Sequence, residues 1–203
     1  MRGLAFSAAG RAGDCAYESE SDVKLRYKIL IGISAVAILV DQITKMWAKT
    51  LMTRPPIVVV ENFFRFVYVE NKGSAWGMFS DLPDAVRIPF FMLISVVAIV
   101  FIIYMFRRLD DRHRFAVISL SLIFGGAMGN FIDRVAYKSV IDFIDWHWYD
   151  AHWPTFNMAD VFITMGVLLL LREMLFGSSD LSLLHPQNAD SKRDAGRSPA
   201  GDD

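Results

Sequence analysis

Residues Gly125 to Asp160, GGAMGNFIDRVAYKSVIDFIDWHWYDAHWPTFNMAD, decide the fold of this chain. The stretch lies between two apolar runs long enough to cross a bilayer, so its carboxylates, carboxamides and arginine fall at membrane depth or at its edge. Polar groups in that position need a reason, since a charged side chain at the bilayer centre costs about 2.5–3.5 kcal/mol on insertion scales. Asp142 and Asp160 stand roughly eighteen residues apart, about 27 Å along one continuous helix at about 1.5 Å per residue. Pro154 rules out that helix. The connection can then fold back through an irregular segment and bring Asp142 near the first turn of a helix that begins around Asn157 to Asp160.

Outward from this stretch, composition sets the class. With 54% hydrophobic and 13% aromatic residues in 203, and its charge concentrated between and beyond the apolar blocks, the chain is a polytopic membrane protein. A net charge of −1 with no dominant basic patch excludes nucleic acid as a partner and leaves membrane lipids. Cys15 is the one cysteine, so no internal disulfide is available. Residues 1–26 have no apolar core of signal-peptide length and are expected to form a disordered cytoplasmic head. Residues 177–203, rich in Ser, Asp, Ala and Pro, are expected to form a disordered cytoplasmic tail.

The domain between them, residues 27–176, is predicted to be mainly α, with four transmembrane helices at about 27–49, 88–106, 115–132 and 158–176. Lys24, Arg26 and Lys28 precede the first span, Arg107, Arg108, Arg112 and Arg114 surround the second turn, and Arg172 closes the fourth span. The positive-inside rule makes these flanks cytoplasmic. Both termini then face the cytoplasm, and the connections 50–87 and 133–157 face outward.

This topology gathers polar residues in one leaflet: Asp41, Gln42, Thr44 and Lys45 from the first span, Asn130, Asp133 and Arg134 from the third, Asn157 and Asp160 from the fourth. Snorkelling to headgroups accounts for Lys49 and Arg87. End-capping alone does not favour short carboxylates and carboxamides converging from three spans, so a site is the better explanation. Asp41 and Lys45 have the favourable i,i+4 order for a structural ion pair. Gly125, Gly126 and Gly129 are packing residues that let a neighbouring helix approach. Asn130 and Arg134 share a helix face one turn apart, open to groups from the following loop.

In the first outer connection, Ile57 to Val60 and Phe63 to Val69 are β-branched and aromatic, which predicts short strands and a small extracytoplasmic β-sheet. Asn71-Lys72-Gly73 is a turn signal, and Gly73 either closes a hairpin or lets backbone approach a ligand. Trp146, Trp148, Tyr149 and Trp153 suit a membrane-interface belt. His147 and His152 lack zinc-ligand spacing, H-E-x-x-H and G-x-S-x-G are absent, and no metal is expected. What remains is a carboxylate pair in a partly dehydrated setting, which shares a proton and can activate water against a peptide carbonyl.

Asp41-Gln42-Ile43-Thr44-Lys45, Asn71-Lys72-Gly73-Ser74-Ala75-Trp76, Gly125-Gly126-Ala127-Met128-Gly129-Asn130 with Asp133-Arg134, Val140-Ile141-Asp142-Phe143 and Phe156-Asn157-Met158-Ala159-Asp160 together resemble the ordered motifs of the bacterial signal peptidase II (lipoprotein signal peptidase) family. The resemblance covers about residues 27–176 and implies an aspartic peptidase of the inner membrane with its active site toward the outer face. It implies Asp142 and Asp160 as the catalytic pair, with Asn71 and Gly73 contacting substrate. Asn130, Arg134 and Asn157 would hold the site in shape, and Asp41, Lys45, Gly126 and Ala159 complete that set. The implied substrate is a diacylglyceryl-modified prolipoprotein cut before its lipidated cysteine, with no cofactor and a monomeric enzyme. A small proton- or ion-coupled transporter is the alternative, but the inner halves of the spans are nearly all apolar and supply no path. A non-catalytic assembly subunit would use the glycine face and leave Asp142 and Asp160 without a role.

Overall fold

The computed structural model describes residues 10–73, 83–109 and 113–176, with side chains from Leu25 onward. In order these form α1 (Gly10–Lys49), β1 (Ile57–Val60), β2 (Phe64–Asn71), α2 (Asp84–Arg108), α3 (Arg114–Tyr137), β3 (Val140–Trp148), β4 (Ala151–His152) and α4 (Met158–Phe176). Ser74, Ala75, Trp76, Arg112, residues 1–9 of the expected head and the tail 177–203 lie outside the described residues.

Among the described residues, three helices are long and apolar enough to cross a membrane: Leu25–Lys49, Asp84–Arg108 and Arg114–Tyr137, with mean hydropathies of 1.7, 2.7 and 1.8. At about 1.5 Å per residue, a 25-residue helix exceeds the roughly 30 Å of a hydrocarbon core. α4 is also highly apolar but carries Asp160, Arg172 and Glu173 within its 19 residues. The helical backbone of α1 reaches back to Gly10, into the stretch expected to be a disordered head. A helix already nucleated by its apolar span extends at little further cost, whatever the polarity of the added turns.

α3 is the hub, packed against α1, α2 and α4. Its glycines make this possible: a Cβ on Gly125 would sit 2.7 Å from that of Ala37, one on Gly126 would collide with the Ala159 carbonyl, and one on Gly129 with the Asp41 carboxylate. Ser34 Oγ adds a hydrogen bond to the Ser121 carbonyl at 2.9 Å, tying α1 to α3. α2 packs along α3, meets α1 through the Tyr27 and Phe106 rings at 5.5 Å, and leaves Leu93, Val97 and Phe101 exposed, an apolar face suited to lipid.

The strands form one antiparallel sheet in the order β1-β2-β3-β4. β1 and β2 fall where the β-branched and aromatic runs predict, joined through Asn62 at φ 60°. The 133–157 connection differs from the expected irregular loop. α3 continues through Asp133 and Arg134 to Tyr137 and ends on Lys138 in the left-handed conformation, and the chain then enters β3. Val140, Ile141 and Phe143 are buried with Asp142 between them, so this end of β3 is covered on both faces and shows no hydrophobic alternation in sequence. Ile141 and Phe143 pack with Ala48, Phe66, Tyr68 and Met158, and Trp47 meets the Phe66 and Phe143 rings edge-on at 5.1 and 6.1 Å. This apolar contact seats the sheet on the end of α1. Arg87, expected to snorkel, is instead buried against Asp84 one turn earlier in α2. Lys49 lies over the Tyr137 ring, 3.6 Å from its centroid.

Candidate active site

Asn157 precedes the first residue of α4, and its carboxamide oxygen accepts the backbone N–H of Asp160 at 3.2 Å. The Asp160 carboxylate in turn accepts the backbone N–H of Asn157 at 3.2 Å. This reciprocal capping box fixes the first turn of α4 and with it the Asp160 side chain. The remaining donor of Asn157, Nδ2, reaches Asp142 Oδ1 on β3 at 2.6 Å. One asparagine therefore holds both aspartates.

Each carboxylate has a second carboxamide. Asn71 Nδ2, from the end of β2, donates to Asp142 Oδ2 at 2.9 Å, and Asn130 Nδ2, from α3, donates to Asp160 Oδ1 at 2.9 Å. Asn71 is itself oriented by the Gly73 N–H, which donates to its Oδ1 at 2.9 Å. Gly73 has φ 104°, and a Cβ there would overlap the Phe91 ring. Both facts require glycine.

Behind Asn130 lies a buried ion cluster. Lys45 Nζ is 2.9 Å from Asp41 Oδ2, Asp133 Oδ2 and Asn130 Oδ1, using all three of its donors. Asp41 Oδ1 accepts the Ala159 N–H at 2.9 Å, satisfying one of the orphan amides at the start of α4. Asp133 also accepts the Ile141 N–H at 3.1 Å, anchoring β3, and Gln42 Nε2 bridges Asp133 Oδ1 at 3.1 Å and the Gly129 carbonyl at 3.2 Å. A continuous set of hydrogen bonds runs from Asp41 and Asp133 through Lys45 and Asn130 to Asp160, then through Asn157 to Asp142. Arg134 Nη1 donates to the Asn130 carbonyl at 3.3 Å, with its guanidinium within the fields of Asp160, Asp142 and Asp133.

The two aspartates differ in setting. Asp142 is buried, 1% exposed, while Asp160 is half-buried. Burial pushes the Asp142 carboxyl up to about 7; the Asp160 charge adds to the rise, while the Asn71 and Asn157 hydrogen bonds oppose it. A group with that value keeps a proton for much of its time at neutral pH. The pair thus has one buried carboxyl suited to donating a proton and a second, more open one.

The candidate site residues meet here, whereas Thr44 turns back to the Val40 and Asp41 carbonyls of its own helix. Asp41, Lys45, Asn71, Asn130, Asn157, Ala159 and the two aspartates lie in one network, while Gly126 and Gly73 act through close approach to Ala159 and Phe91. Asp133 and Gln42, counted in the sequence among the converging polar residues but given no individual role, take part as fully as these. The pattern Asn157-x-x-Asp160 ahead of an apolar run was the available sign of the capping box.

A family model for signal peptidase (SPase) II matches residues 33–176. A lipoprotein signal peptidase of Geobacter metallireducens is 44% identical over 154 residues, covering 75% of this chain and 94% of the relative. One from Syntrophotalea carbinolica is 42% identical over 147 residues, covering 72% and 90%. Two solved structures of a bacterial membrane enzyme superpose with TM-scores of 0.61 and 0.62 at 32% and 31% identity; the first covers 75% of this chain and 90% of the other, the second 73% and 94%. The matched segment runs from within α1 to the end of α4 and contains every residue of the network around Asp142 and Asp160, and the chain belongs to the signal peptidase II family.

Proposed function

We propose that this peptidase removes signal peptides from diacylglyceryl-modified prolipoproteins, cutting before the lipidated cysteine with water activated between Asp142 and Asp160. The observation that carries the mechanism is the double hold of Asn157, whose Nδ2 binds Asp142 and whose backbone N–H binds Asp160. Two carboxyl groups held by one residue, in different degrees of burial, form an acid and base pair. Asp160 takes a proton from the water as its oxygen attacks the scissile carbonyl carbon, and Asp142 gives its proton to the carbonyl oxygen. The tetrahedral intermediate collapses as Asp160 passes the water's proton to the amide nitrogen, the C–N bond breaks, and the hydroxyl formed from the carbonyl oxygen returns its proton to Asp142. The positive end of the α4 dipole, next to both groups, favours the negative charge that the pair carries through the cycle.

α4 serves as the fourth span in this reading. Its charges lie toward its ends, and Arg172 lies over the Phe115 ring with 5.4 Å between guanidinium and ring centroid. Arg107, Arg108, Arg114 and Arg172 mark the cytoplasmic side of the inner membrane, which puts both termini there and the Asp142–Asp160 site toward the outer face. All groups that hold the pair come from one chain, so a monomer suffices.

At that depth the substrate arrives from the bilayer. Buried acyl carbons are worth about 0.8 kcal/mol per CH₂, which concentrates a lipidated precursor at the site without itself lowering the chemical barrier. The test compares a diacylated precursor with an unlipidated one of identical sequence in the same detergent or bilayer. A large loss of kcat/KM for the unlipidated peptide is expected, with the lipidated cysteine as the new N-terminus of the product. Equal processing of both would point to a general intramembrane protease.

A further inference from the structure

A second cluster of chemistry-bearing side chains lies on the far side of β3 from Asp142. Successive strand residues alternate faces, so Asp145 and His147 share one face while Asp142 occupies the other. Across the tight turn to β4, His147 pairs directly with His152 in the sheet register, and the two imidazoles stack 4.9 Å apart at 18°. Asp145, 3% exposed, places Oδ1 2.9 Å from His152 Nδ1, while Oδ2 is held by Arg65 Nε at 2.6 Å. One ligand atom from each of Asp145, His147 and His152 lies within 4.8 Å of the other two. His147 Nδ1 is buried without a hydrogen-bond partner among the described residues.

We propose that Asp145, His147 and His152 form a binding site for a divalent transition cation of the zinc type. Two imidazoles and one carboxylate are a common ligand set for zinc, with bonds near 2.0–2.2 Å and a fourth position open to water. Rotation of the two rings brings the three ligand atoms from within 4.8 Å of one another to the roughly 3.3 Å edge of a tetrahedron with such bonds. The cation takes the place of the hydrogen between Asp145 Oδ1 and His152 Nδ1, with the neutral imidazole carrying its hydrogen on Nε2 when Nδ1 is a ligand. Arg65 on Oδ2 acts as an outer partner that fixes the carboxylate. The histidines stand either side of the turn, out of line with helical zinc spacings, which is why their positions in sequence do not announce a site. Bound metal would clamp β3 to β4, the hairpin that leads from Asp142 to Asn157, without touching Asp142 or Asp160.

The test uses the full-length, tag-free protein in detergent, stripped with a chelator and titrated with Zn²⁺ by calorimetry, with thermal unfolding followed in parallel. One saturable Zn²⁺ per chain and a rise in Tm are expected. His147→Phe, which keeps a stacked ring, and His152→Ala should each weaken binding by more than the roughly 10–100-fold that loss of an outer partner costs. They should also abolish the Zn²⁺-dependent rise in Tm. A variant lacking His113 and His185, the other two histidines, should bind as the wild type does. Absence of saturable binding to the wild type, or wild-type affinity in either His147→Phe or His152→Ala, would overturn the proposal. Because the readouts are binding and Tm in the absence of substrate, they are independent of the peptidase mechanism.

Discussion

Lys45 Nζ lies 2.9 Å from Asn130 Oδ1, and this contact settles which way the Asn130 carboxamide faces. A lysine only donates, so the oxygen must face it and the amide nitrogen must face Asp160, as observed at 2.9 Å. A residue in α1 thus determines, through one carboxamide, what an aspartate at the start of α4 meets. Lys45→Met would leave Asp41 and Asp133 buried and uncompensated, a loss of about 3–5 kcal/mol for breaking a buried pair. Thermal unfolding in detergent should show a large fall in Tm together with loss of cleavage. A variant of wild-type stability would mean that the cluster is not held by charge.

Packing on α3 predicts opposite outcomes for two glycines. Gly126→Ala drives a methyl group into the Ala159 carbonyl and should destabilise the protein by about 1–3 kcal/mol, with reduced activity as α4 shifts. Gly32 on α1 has no atom within 4 Å of a Cβ position, so Gly32→Ala should be neutral or stabilising by up to about 1 kcal/mol. Unfolding curves of the two variants side by side check this, and equal effects would contradict the close approach of α3 and α4.

Titration of Asp142 makes stability depend on pH. Its carboxyl is raised from 3.8 to about 7 by burial, so between those values the folded state binds more protons than the unfolded state. Stability from this group is therefore full at low pH, declines as pH rises through that window and levels off above about 7. Asp142→Asn lacks this dependence, so its stability relative to wild type should improve steadily from pH 4 to pH 7. Parallel profiles would show that Asp142 is not held in a desolvated site. In the wild type, kcat/KM should fall above about pH 7 as the proton donor is lost.

Orientation is tested by reporter fusions. A reporter that works only in the cytoplasm should be active after Arg108 or Phe176 and inactive after Tyr149. The reverse pattern would move the site to the other face.

How much of this was legible in the sequence depended on the range of the interaction. The apolar spans show in composition because lipid and the helix contacts both select apolar residues along them, and β1 and β2 show because β-branched and aromatic runs have no competing helical period. β3 was hidden: Val140 to Phe143 are buried on both faces, and the tryptophans that follow suit a membrane interface equally well. The Asp41–Lys45 pair is local, one helical turn, and was readable as such. The parts played by Asp133 and Gln42 arise only when α1 meets α3, across separations no sequence period encodes. Arg87 was misplaced because a lone cation near a span's end ordinarily reaches for water, whereas here Asp84 lies one turn away on the same helix.

The most direct measurement is cleavage of a diacylated precursor by purified Asp142→Asn and Asp160→Asn variants, with folding monitored on the same samples. An amide nearly matches a carboxyl in size but can neither take a proton from water nor give one to the carbonyl oxygen, so packing should survive while chemistry stops. The account predicts that both variants fold, retain most of the wild-type Tm and show no turnover above background. Substantial turnover by a well-folded Asp160→Asn or Asp142→Asn variant would contradict the two-aspartate mechanism.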